Sequence, residues 1–107
     1  MLQQRFSDLQ LEQIIEEAAI YMCACPGQVA VQLRSLRSLF RYQNQCELEP
    51  ANDAVVHQTI AEATLQAHAL MEECLDRVLE IEGWDRATLT MPEGMRRKRL
   101  ECLERDE

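Results

Sequence analysis

The sequence predicts an all-α protein: an antiparallel helical bundle of three main helices plus a short C-terminal helix, completed by dimerisation. Three observations carry this. Alanine, leucine, glutamine, glutamate and arginine, all good helix formers, dominate the chain. Only three glycines and three prolines punctuate 107 residues, too few turn signals for an all-β fold. Long stretches repeat apolar residues three and four positions apart, the period of a one-sided helix. Apolar residues make up 47% of the chain, too many for a disordered tail and enough for one core.

The first helix is expected over about 7–22. Ser7-Asp8-Leu9-Gln10 fits a capping box, in which serine and glutamine each satisfy a free backbone N–H, and Phe6 is placed as a hydrophobic staple. Leu11, Ile14, Ile15, Ala18 and Met22 then share one face, with Glu12, Gln13, Glu16 and Glu17 on the other. The adjacent pairs Glu16-Glu17 and Glu72-Glu73 diverge around their helices and read as solvated.

A second helix is expected from Pro26, a first-turn residue, to about 46. Val29, Leu33, Leu36 and Phe40 fall within one arc at 100° per residue. Val31, Leu39, Tyr42 and Cys46 widen the apolar surface sideways. Arg34, Arg37 and Arg41 sit opposite and read as a solvated face.

Glu47-Leu48-Glu49-Pro50 reads as a turn. A long helix follows over about 52–82, closed by Gly83. Val56, Ile60, Ala63, Ala67, Leu70, Cys74, Val78 and Ile81 form a nearly pure seam at alternating spacings of four and three. The seam is expected to face inward, with His57 and His68 flanking it. Trp84-Asp85-Arg86-Ala87-Thr88-Leu89 reads as a loop or short turn. Residues 1–90 are expected to form the bundle domain and residues 91–107 a charged helical tail.

The most chemically suggestive stretch is Cys23-Ala24-Cys25-Pro26, between the first two helices. A thiol at a helix N-terminus is biased toward thiolate. A tight hairpin pairs positions of the second and third helices whose numbers sum to roughly 98, which levels Cys25 with residues near 73. Cys23, Cys25 and Cys74 are then expected at one end of the bundle. Three thiols there suit either a redox switch or a soft-metal site for zinc or copper, as a sensor or carrier. Simple packing of small residues explains the same arrangement.

The net charge of −8 opposes general nucleic-acid binding, which requires phosphate neutralisation. No apolar run approaches the roughly 20 residues of a membrane span, and no secretory pattern opens the chain. Five cysteines, an odd number without framework spacing, fit reduced thiols in a cytoplasm. Phosphate loops, nucleophile elbows and zinc-protease motifs are absent. The function expected is therefore non-catalytic and cofactor-free: protein–protein interaction, through homo-oligomerisation or a helical partner. Leu39, Tyr42, Val56 and Ile60 are the expected interface, because the second and third helices carry more apolar surface than one neighbour covers.

Overall fold

A computed structural model describes residue 2 and residues 4–20, 25–46 and 54–92. Three helices account for most of them: α1 (Asp8–Ile20), α2 (Cys25–Cys46) and α3 (Ala54–Glu82). Among the described residues no strand forms, and a single antiparallel bridge joins Asp85 to Thr90.

The start of α1 follows from its capping box. Gln10 N–H donates to Ser7 Oγ at 3.1 Å, and Ser7 N–H donates back to Gln10 Oε1 at 2.8 Å. Phe6, just ahead of this cap, is buried. α1 then packs on α2 through Ala18 and Gly27. A Cβ on Gly27 would overlap the Ala18 Cβ, so glycine here lets two helix backbones approach closely.

α3 ends in a Schellman motif. Gly83 adopts φ 75°, its N–H donates to Glu80 O at 3.1 Å, and Trp84 N–H donates to Leu79 O at 3.0 Å. Leu79 and Trp84 are both buried, the apolar contact that accompanies this cap. The chain then folds back. Asp85 Oδ1 accepts from Ala87 N–H and Thr88 N–H at 2.9 and 3.1 Å, an Asx turn. These two donors hold the Asp85 carboxyl below its ordinary pKa. Leu89 closes the turn at φ 54°.

This turn is more than a connector. Trp84, Leu89 and Met91 join Phe6, Leu11, Ile14, Ala18, Ala30, Leu33, Leu75 and Leu79 in one core. α2 packs against both α1 and α3, whose backbones do not meet; residues 84–91 help close the side between them. Met91 N–H donates to Glu17 Oε1 at 3.0 Å, tying the end of the turn to α1. The expected solvated role of Glu17 is thus overturned, since a buried backbone N–H needs an acceptor.

α2 and α3 run antiparallel, as the side-chain pairs Gln43–His57 and Arg37–His68 show. Both partners lie further along α3 than the expected register, by two residues at Gln43 and seven at Arg37. The long Arg37 side chain takes up part of the second offset.

The largest departure from the sequence reading concerns α3. Its buried residues are Thr64, His68, Glu72, Leu75 and Leu79, and not the 4-3 apolar seam. Within the seam, Leu70 and Ile81 are 67% and 77% exposed, and Val56 is exposed as well. The two rows are centred about 120° apart on the helix. α2 occupies the row that contains histidine and glutamate because polar partners await them there.

Candidate functional site

Two features stand out, a buried polar knot and an apolar face on the open side of the α2–α3 hairpin. The knot centres on Arg37, His68 and Glu72, each no more than 3% exposed. Arg37 Nε–H donates to His68 Nε2 at 3.0 Å, Nη1 to Asp8 Oδ1 at 2.6 Å, and Nη2 to Phe6 O at 2.6 Å and Glu72 Oε2 at 3.3 Å. Glu72 Oε2 also accepts Arg5 N–H at 2.8 Å and Phe6 N–H at 3.0 Å. Both backbone groups of Phe6 are therefore held by side chains from α2 and α3.

The knot works because the guanidinium fork presents its donors in fixed directions. It points one edge at His68 and the other at Phe6, with Asp8 between them and solvent. The arginine obliges Nε2 to be the unprotonated nitrogen, so the network assigns the ring proton to Nδ1. Nδ1 faces Glu72 Oε1 at 3.7 Å. The His68 pKa is lowered, chiefly by burial and also by the Arg37 charge, with Glu72 opposing. The imidazole is neutral at neutral pH.

Several sequence expectations are corrected here. Arg37 does not belong to a solvated arginine face, although Arg34 and Arg41 beside it are exposed. Glu72 is buried while its neighbour Glu73 is exposed. His68 does not flank the core but lies inside it, with Glu72 one turn further along α3. A shallow polar cleft of about 430 Å³ borders the knot, lined by Asp8, Glu12, Arg34, Arg37, Ser38 and Arg41. Its cations face two carboxylates, so it presents mixed charge and no strong field for an anion.

The second feature is the apolar face. On α2, Gly27 and Arg37 contact α1, and Leu39 sits on the opposite arc with Tyr42 beside it; both are exposed. On α3, one flank carries Glu72 and Asp76, which bind the segment before α1 and Arg86 of the 84–91 turn. The seam occupies the other flank. Exposed residues of both helices therefore share the side turned away from α1 and the turn. Of the four expected interface residues, Leu39, Tyr42 and Val56 are exposed and Ile60 is half-buried. A groove of about 440 Å³ lies further along the seam, lined by Leu70, Glu73, Cys74, Arg77, Val78 and Ile81. Leu70 and Ile81 were legible as seam residues, but their outward direction was not.

Of the thiols, Cys23 lies outside the described residues. Cys25 is exposed at the first residue of α2, and Cys74 is half-buried in the seam. Neither forms a disulfide. Among the described residues no three histidine, cysteine, aspartate or glutamate side chains are grouped to hold a metal ion. No described helix is long and apolar enough to cross a membrane. No protein-family model, curated protein or solved structure matches this chain.

Proposed function

We propose that this chain is a non-catalytic interaction protein that pairs with a second copy of itself through the open face of α2 and α3. The two hairpins then form a four-helix bundle, with α1 and the 84–91 turn on its outer sides. The observation that supports this reading is the seam itself: eight apolar positions at helix-packing spacing, of which Val56, Ala63, Leu70 and Ile81 are exposed and the other four half-buried, beside exposed Leu39 and Tyr42. Surface apolar residues are ordinary when scattered, but a continuous stripe of this kind marks an interface.

The magnitudes support a dimer that uses the whole face rather than one patch. Burying a large apolar side chain is worth about 1.5–3 kcal/mol, while association costs about 4–15 kcal/mol in lost freedom. One or two residues cannot offset that cost. Leu39, Tyr42, Val56, Leu70 and Ile81 together reach the required order. A two-fold axis makes each residue count twice, which favours a second copy over a short peptide. A cytoplasmic setting suits this reading, because Cys74 in the seam stays reduced there.

Native mass spectrometry and light scattering at micromolar concentration test the proposal. The expected species has twice the chain mass, and the double variant Leu70→Glu, Ile81→Glu is expected to halve it while keeping the helical circular dichroism. A wild-type protein of single-chain mass at that concentration would overturn it.

A further inference from the structure

The polar knot has a property independent of dimerisation. We infer that Arg37, His68 and Glu72 form an acid-released latch on the chain segment preceding α1. In the closed state Glu72 and Arg37 together hold the backbone of Arg5 and Phe6, and His68 fixes the direction of Arg37. The closed state requires a lone pair on His68 Nε2. A proton taken from solvent at that nitrogen removes the acceptor of the Arg37 Nε–H and sets two N–H groups against each other.

The surroundings decide what happens next. Three charged groups act at the ring: Arg37 from α2, Glu72 from α3 and, through Arg37, Asp8 from the start of α1. From the 84–91 turn, Arg86 pairs with Asp76 and lies 5.6 Å from the Phe6 ring centre. Imidazolium repels the guanidinium and attracts the Glu72 carboxylate, which already lies 3.7 Å from Nδ1. Glu72 turning toward His68 leaves the Arg5 and Phe6 N–H groups without their acceptor. Arg37 keeps its bond to Asp8, whose side chain is 67% exposed, so the guanidinium has a solvated position to move into.

The direction of the pH effect follows from burial. The latched state lowers the affinity of His68 for protons, so an opened state binds the proton first as pH falls. Closure is complete above the ordinary imidazole value of about 6.5 and weakens progressively below it. The α2–α3 pairing does not depend on the bond that is lost, because Leu33, Leu75 and Leu79 remain packed.

Amide hydrogen exchange read residue by residue, corrected for the intrinsic pH dependence of exchange, tests the latch. Between pH 7.5 and pH 5, protection of the Arg5 and Phe6 amides is expected to fall at least tenfold, with the amides of Leu75 and Leu79 retained. In His68→Gln, whose amide oxygen can accept from Arg37 but does not titrate, the selective loss is expected to vanish over that range. Equal loss in both proteins, or simultaneous loss at Leu75, would overturn the latch. Should the variant fail to fold, the wild-type protein still decides the matter by NMR. The His68 ring resonances and the Arg5 and Phe6 amides must titrate with one midpoint, and separate midpoints would refute the coupling.

Discussion

The two long faces of α3 invert the usual expectation. The face against α2 contains Thr64, His68 and Glu72 and is buried; in the neighbouring seam Leu70 and Ile81 are exposed and Cys74 and Val78 half-buried. Apolar character alone therefore does not decide which side of a helix enters a core. Each polar group on the buried side has a partner: Thr64 Oγ1–H donates to Ile60 O at 2.7 Å, and His68 and Glu72 meet Arg37. Satisfied polar groups are tolerated inside, and the specificity of their bonds fixes how α3 lies on α2. The seam side chains make no such bonds among the described residues, and theirs is the face proposed to meet a second copy.

This contrast is broken most directly at adjacent residues. Glu72→Ala removes the acceptor for two backbone N–H groups and leaves the buried Arg37 guanidinium beside an apolar gap, with the largely exposed Asp8 as its remaining carboxylate partner among the described residues. Breaking a buried ion pair from one side costs about 3–5 kcal/mol, a large part of the about 5–15 kcal/mol that holds a small domain together. Glu73→Ala, one residue away and exposed, is expected to stay within about 0.5 kcal/mol of wild type. Urea unfolding of the two variants measures the difference. If Glu72→Ala were as mild as Glu73→Ala, the knot would contribute nothing to the choice of face.

A smaller effect is expected where the buried side depends on close approach rather than on charge. Gly27→Ala adds a methyl group where the Ala18 methyl already sits, and overpacking of this kind costs about 1–3 kcal/mol. The better helix propensity of alanine returns up to about 1 kcal/mol, so the net expectation is a modest loss. Ala18→Gly in the same chain should recover part of it, because it vacates the contested space. A thermal shift that is unchanged in the single variant would mean that α1 can move away from α2 without penalty.

These cases also show what the sequence could reveal. The spans of all three helices were legible to within a few residues, because capping residues, Pro26 and Gly83 act locally. The capping box at Ser7 and Gln10 and the stop at Gly83 rest on bonds between residues three to five apart. The face of α3 was not legible in the same way. Two apolar-compatible arcs lay side by side, and the deciding contacts join Arg37 to His68 and Glu72, and Phe6 to Glu72, across 31 to 66 residues. Arg37 looked like one of three surface arginines, since nothing within a turn of it distinguishes it from Arg34 or Arg41. Leu39, Tyr42 and Val56, expected at an interface because the apolar surface exceeded what three helices cover, are indeed exposed. The assignment of the seam to the core was the part of that argument that failed.

The seam itself should show the smallest change in chain stability and the clearest change in association. Leu70 is two-thirds exposed within the single chain, so Leu70→Ser removes little packing from the fold of one copy. Unfolding measured at low concentration, where single chains dominate, is expected to move by no more than about 0.5 kcal/mol. At higher concentration the wild-type midpoint should rise with protein concentration, because a partner that binds only the folded chain stabilises it by mass action. The variant should lose most of that dependence. Glu72→Ala offers the reverse pattern, destabilised at every concentration with the slope retained wherever the chain still folds. The two responses separate a face that builds the chain from a face that joins chains. If Leu70→Ser were instead destabilising at all concentrations, the seam would belong to the fold of one copy.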